Sequence, residues 1–195
     1  MLKEANRIAS FITLSEIPQK FKHLKVLGRG ATTIALQENE KSVLIFTRDI
    51  IKAEYLRDCL ENMAEYIEEY YPSKIHHIKG VSNIPVMVIR MPMLYPLSPE
   101  NVRKVKQELK AFDAFQPHYY KGIQQSQKFA QKCDEFAGEY PESILEPFCH
   151  WILNYDSNQY SPDFGSRQFK QDDKGNIIFL DPIISKELME LYYKK

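Results

Sequence analysis

Three side chains towards the C-terminus, Asp163, Gln168 and Asp181, are of the types that hold a hard cation or take a proton from a hydroxyl. They lie in Asp163-Phe164-Gly165-Ser166-Arg167-Gln168-Phe169-Lys170, followed by Gln171-Asp172-Asp173-Lys174-Gly175 and Asn176-Ile177-Ile178-Phe179-Leu180-Asp181-Pro182. Asp-Asp-Lys-Gly is a turn signal, with Gly175 suited to the positive φ of a tight hairpin. Asn176 to Leu180 is rich in β-branched and aromatic residues, as a buried strand should be. A hairpin over 163–181 carries Asp163 and Asp181, 18 positions apart, to one end of a small ribbon. Two carboxylates so placed can share a divalent cation or divide into a base and a metal ligand. An ordinary polar hairpin with solvated acids fits the same residues, because short acidic motifs recur by chance.

A second set of chemistry-bearing residues stands near the N-terminus. Phe21 to Leu27 reads as a strand that runs into Gly28-Arg29-Gly30-Ala31-Thr32-Thr33, and Ile34-Ala35-Leu36 reads as the next strand. Glycines between two strands let backbone amides approach a phosphate, although a plain hairpin turn has the same composition. A third strand is expected at Ser42-Val43-Leu44-Ile45-Phe46-Thr47, with Lys41 just before it and Arg48 just after it.

The elements that must position these residues follow from periodicity and from turn residues. Residues 1–20 read as a helix or arm. Asp49 to Tyr71 reads as one long helix capped by Asp49, with Leu56, Cys59, Leu60, Met63, Ile67 and Tyr70 on its apolar face. Glu54, Asp58, Glu61, Glu65 and Glu68 fall on its other face, and Pro72 stops it. His76-His77 are adjacent, a spacing that does not place both on one side of a strand or helix, so no metal site is expected there. Ile84 to Met91 reads as a buried strand leading into a proline-bounded connector at 92–97. The second half reads as helical, with helices from Pro99 behind a Ser98 cap, from Ile123 to Ala137 and from Ser143 to Tyr155, then a short one at Ser185 to Tyr193. The expected class is α+β: a β-rich lobe over 1–94 containing helix 49–71, and a helical lobe over 95–195 carrying hairpin 163–181.

Composition narrows the function. In 195 residues Lys+Arg and Asp+Glu are both 26, so nothing in the balance points to nucleic acid or an anionic membrane surface. No apolar run approaches a membrane span, and no signal-peptide core is evident, so the expected location is the cytoplasm. Cys59, Cys133 and Cys149 are odd in number and sit among apolar residues, which suits reduced buried thiols.

The spacing of Asp163, Gln168 and Asp181 resembles the catalytic segment of protein kinases, where a catalytic Asp is followed by a metal-binding Asn, a hairpin and a metal-binding Asp. The literal Asp-Phe-Gly at 163–165 falls at the catalytic-loop position in this alignment and not at the metal-binding one. The compact hairpin and its Leu-Asp-Pro ending look most like the short kinase-related proteins of tailed bacteriophages, which places the expected site of action in a host cytoplasm. The resemblance implies a minimal protein-kinase-like two-lobed fold. It implies ATP and Mg2+ as cofactors, Asp163 and Arg167 as catalytic residues, and Gln168 and Asp181 as metal ligands. Gly28, Arg29, Gly30, Ala31, Thr32 and Arg48 would meet the nucleotide, and the acceptor would be a host protein or the chain itself. Glu54, Glu61 or Glu65 would be the helix acid that pairs with a basic group. Two positions depart from the pattern: the third strand has Ile45 or Phe46 where a phosphate-binding Lys is expected, and Gln168 replaces Asn. A catalytically inactive kinase-fold module that binds and inhibits or redirects a host protein is the alternative expectation. An unrelated α+β protein with a fortuitous acidic hairpin is the third.

Overall fold

A computed structural model of the chain describes residues 12–72, 84–116, 125–155 and 159–193. The expected helix over 1–20 lies partly, and His76-His77 wholly, outside them. The architecture is α+β, and the chain divides into two compact units: the described residues up to Met93 together with those from Ser185 onwards, and Leu94–Ile184. The C-terminal segment thus groups with the first unit, where the sequence had suggested the second.

The first unit is built on a five-stranded antiparallel sheet of β1 (Lys25–Arg29), β2 (Thr33–Gln37), β3 (Ser42–Thr47), β4 (Glu65–Tyr70) and β5 (Val86–Pro92), in the spatial order β1-β2-β3-β5-β4. Strand alternation sends Ile34, Leu36, Leu44, Phe46, Val86 and Val88 to one face, where they pack with Ile12 and Ile17 from the segment before β1. Helix α1 (Ile50–Cys59) follows β3; Asp49 caps it by accepting from the Lys52 amide at 3.1 Å, and its other carboxylate oxygen accepts from the Ser185 amide at 3.0 Å. Asp49 is 1% exposed, so this one side chain satisfies two buried donors and ties the C-terminal segment to α1.

The long helix expected over 49–71 is replaced by a helix, a turn and a strand. The chain leaves α1 after Cys59, turns through Glu61–Met63 and enters β4, which pairs with β5. Ile67 and Tyr70, three positions apart, look helical in sequence. In β4 a register shift between Tyr66 and Glu68 inserts Ile67 as an extra residue, and this lets Ile67 and Tyr70 both reach the same core. Pairing with β5 outweighs the weak helical propensity of Tyr66, Ile67 and Tyr70. Glu65, expected on the helix, is instead a strand residue bonded to Arg90 at 2.6 Å, and Glu61 lies in the turn.

The second unit holds α2 (Pro99–Ala114), α3 (Gln125–Glu139) and α4 (Glu146–Leu153), then β6 (Tyr160–Pro162), β7 (Phe169–Gln171) and β8 (Ile177–Phe179). Helix α2 begins as expected: Ser98 Oγ accepts from the Asn101 amide at 3.2 Å, and Pro99 occupies the first turn. Buried Phe112, Phe136 and Phe148 make an aromatic core in which rings meet edge to face, as at Phe112–Phe136 with centroids 5.0 Å apart. Strand β9 (Ile183–Ser185) pairs with β6, and helix α5 (Lys186–Tyr193) ends the described chain.

Candidate functional site

The expected single hairpin over 163–181 is two ladders in series. Strands β7 and β8 pair antiparallel, Phe169 with Phe179 and Gln171 with Ile177, while β6 pairs separately with β9. Gly175 closes the inner turn at φ +86°, the one position in the described chain where a glycine is conformationally required. Asp172 organises that turn by accepting from the Lys174 and Asn176 amides at 2.9 and 2.8 Å, and the Asn176 side-chain bond holds its carboxyl below the usual range.

The acids stand where one ladder gives way to the other. The Leu180 amide donates to the Gln168 carbonyl at 2.9 Å, and the Asp163 amide donates to the Pro182 carbonyl at 2.7 Å. These two bonds flank Asp181 on either side, so main-chain pairing brings its backbone beside those of Asp163 and Gln168. Gln168 is 9% exposed, and its Nε2 donates to Asp163 Oδ2 at 2.5 Å. With its nitrogen committed to Asp163, the Gln168 amide keeps its oxygen as the remaining acceptor. The Arg167 guanidinium stands 3.7 Å from the same Asp163 oxygen, too far for a hydrogen bond, and is 80% exposed.

Packing fixes the loop from below. Phe164, next to Asp163, touches the rings of Phe112, Phe129, Phe148 and Phe179, with centroids 5.1 to 6.0 Å apart. The Phe169 and Phe179 rings stack at 4.1 Å across the inner ladder. Gln171 locks the connector to this ladder. Its backbone exchanges two bonds with Tyr95 at 2.8 and 3.0 Å, and its side-chain oxygen accepts from the Ser98 amide at 2.7 Å and from Asn101 Nδ2 at 2.9 Å. No sequence signal singles out Gln171. In the sequence Phe164 stands out only as the middle residue of the literal Asp-Phe-Gly at 163–165.

The residues expected to meet a nucleotide belong to the first unit. Gly28 and Arg29 end β1 and Gly30 to Thr32 form the turn, which closes when the Gly30 amide donates to the Thr33 carbonyl at 2.8 Å. Neither glycine has positive φ; a Cβ at Gly28 meets nothing within 4 Å, and one at Gly30 meets only the Thr33 carbonyl at 3.9 Å. The fold itself therefore does not require glycine at either place, and the backbone there is open to close approach. Thr32 is buried, and the Thr47 hydroxyl donates to its carbonyl at 3.2 Å while accepting from the Asp49 amide at 3.1 Å, which couples the turn to the start of α1.

Arg48 does not fit its expected role as an exposed phosphate cation. It is 2% exposed, pairs with the buried Glu16 at 2.9 Å and donates to the Ile84 carbonyl. A guanidinium so enclosed is a structural ion pair, placed there because its partner segment covers the core of the sheet. Strand β3 carries no lysine, in line with the sequence. Sequence reasoning also passed over Lys52 on α1, which is 6% exposed and is the buried lysine nearest in sequence to β3. Glu54, on the same helix, is partly buried, and burial raises its carboxyl above the usual range.

Among the described residues no group of three or more His, Cys, Asp and Glu side chains is placed to hold a metal ion by itself. Asp181, Asp163 and the Gln168 oxygen are hard oxygen donors, and a set of one or two carboxylates suits Mg2+ completed by phosphate oxygens and water. None of the described helices is long and apolar enough to cross a membrane. The chain matches no protein-family model and no curated protein sequence.

Proposed function

We propose that the chain is an atypical, minimal kinase-like phosphotransferase that takes ATP with Mg2+ and phosphorylates a hydroxyl of a host protein. The observation that supports this reading is the ladder junction, where main-chain bonds on both sides of Asp181 run its backbone beside those of Asp163 and Gln168. The resemblance assigns a base or orienting acid, an amide ligand and a metal-binding acid to these positions. Asp181 and the Gln168 oxygen would hold the cation, which when bound neutralises charge on the transferring phosphoryl group. Asp163 Oδ2 is fixed by Gln168, and Oδ1 would orient the acceptor hydroxyl and take its proton as the new oxygen–phosphorus bond forms and the bond from the γ-phosphorus to the bridging oxygen breaks, ADP leaving. The open backbone at Gly28 and Gly30 supports assigning that turn to the phosphates.

Isothermal titration with ATP, with and without Mg2+, tests the reading. Magnesium-dependent binding lost in Asp181→Asn is the expected result, followed by phosphate transfer that Asp163→Asn abolishes. No heat at millimolar ATP would sink it. A second reading, an inactive kinase-fold binding module, is favoured by the absence of a lysine on β3 and by the commitment of Arg48 to Glu16. Under that reading Asp163→Asn leaves the effect on the host target intact.

A further inference from the structure

We infer that the two outer strands of the five-stranded sheet form a contact between copies of this chain, the β1 edge of one copy against the β4 edge of the next. The inference does not depend on the phosphotransferase reading. Among the described residues β1 pairs only with β2 and β4 only with β5, so each outer strand leaves one side of its main chain without a ladder partner. Such an edge is a template for another strand. The two are matched in length, five residues in β1 and six in β4. Each also exposes one large apolar side chain, Leu27 at 42% and Tyr66 at 49%.

Charge selects the partner. Strand β1 carries Lys25 and Arg29, both exposed, and no acid; Lys22 is exposed just ahead of it. Among the described residues none of these three cations has an ion-pair partner within 4.0 Å. Strand β4 carries Glu65, Glu68 and Glu69 and no base. Two of these acids are partly offset: Lys20 meets Glu68 at 2.8 Å, and Arg90 meets Glu65 at 2.6 Å. Arg90 is shared, however, with Glu38 at 2.7 Å, and Glu69 has only the Tyr66 hydroxyl at 3.4 Å. Four carboxylates thus face two cations, and the β4 edge stays acidic. Pairing β4 with β4 of another copy would oppose acid to acid, and β1 with β1 base to base, both unfavourable. Only β1 against β4 joins opposite signs. That contact is heterologous, so each added copy leaves one edge of each kind open, and association continues unless the rotation closes a ring.

Analytical ultracentrifugation of the full chain and two charge-reversed variants tests it. Lys25→Glu with Arg29→Glu makes both edges acidic, and Glu65→Lys with Glu69→Lys makes both basic. All four positions are exposed, and far-UV circular dichroism checks that each variant folds. At low ionic strength the wild-type mass should reach roughly twice that of the monomer near millimolar protein, as for a contact below standard size. It should fall towards the monomer at about 1 M NaCl, where the Debye length is about 3 Å. Each variant alone should stay monomeric, while an equimolar mixture should associate as the wild type does, because mixing restores opposite edges. A monomeric wild type would overturn the inference and leave each edge to a strand of another protein. Association of either variant alone, or no association of the mixture, would overturn it too. So would a mass that stops at two copies, since that requires a two-fold contact between like surfaces.

Discussion

The two regions expected to handle a nucleotide treat their charged side chains in opposite ways. Around the glycine turn, Arg48 and Glu16 are 2% and 1% exposed and locked together, and the Thr32, Thr47 and Asp49 polar groups bond one another. At the ladder junction, Asp163 is 44% and Arg167 80% exposed, and only one oxygen of Asp163 is engaged. Polar groups that serve architecture are buried and matched, because an unmatched buried charge is costly. Polar groups that serve a ligand must keep capacity for it. By that criterion the first unit's cation is structural and Asp163 in the second unit is the place to look for chemistry.

The sharpest way to break this contrast is to remove one partner from each region. Arg48→Ala removes the cation paired with the buried Glu16 carboxylate, which keeps its bonds from Thr13, and should destabilise the protein by about 3–5 kcal/mol. Asp163→Asn, at a half-exposed position, should stay within about 0.5 kcal/mol. Urea unfolding midpoints compared at constant slope decide it. Similar losses for both variants would mean that the junction is as architectural as the ion pair.

A smaller effect is expected where packing and site meet. Phe164→Ala removes a ring that touches four others, but Phe164 is only partly buried, so the loss should be about 2–3 kcal/mol. The loop that carries Asp163 rests on that ring, so magnesium-dependent ATP binding should weaken at temperatures where the variant is still folded. Calorimetric melting and ATP titration on the same sample check both halves. Unchanged nucleotide affinity despite the stability loss would show that the loop is positioned by its main-chain bonds alone.

The legibility of these regions differed for physical reasons. Strand β3 and the α2 cap were readable because a continuous apolar run and Ser-Pro act locally. The approach of the Asp163 and Asp181 backbones was readable only in part: Gly175 closes the β7–β8 turn, but the bond of the Asp163 amide to Pro182 belongs to a second ladder that no local pattern reveals. Strand β4 was not, since a bulge gives Ile67 and Tyr70 a helix-like spacing and only the edge of β5 reveals the difference. The fate of Arg48 was equally hidden, because its partner Glu16 lies 32 positions earlier and no local pattern links them. Gln171 is the extreme case: a polar strand residue whose four bonds reach 70 or more positions away. Side chains whose partners are distant in sequence are the ones that single-sequence reasoning misassigns.

The smallest expected effect sharpens the contrast most, because stability and binding should move in opposite directions. Gly28 and Gly30 have negative or extended φ, and an added methyl meets open space at Gly28 and an ordinary contact at Gly30. Alanine there restricts the unfolded chain without straining the folded one, so each variant should gain roughly 0.4–1 kcal/mol of stability. If the turn admits phosphate oxygens against its backbone amides, the same methyl obstructs them and ATP affinity falls as stability rises. A loss of stability would mean that these glycines serve the fold, which places the turn with Arg48 on the architectural side. A gain with unchanged ATP affinity would remove the glycine turn from the nucleotide site and leave the acidic junction to carry the binding alone.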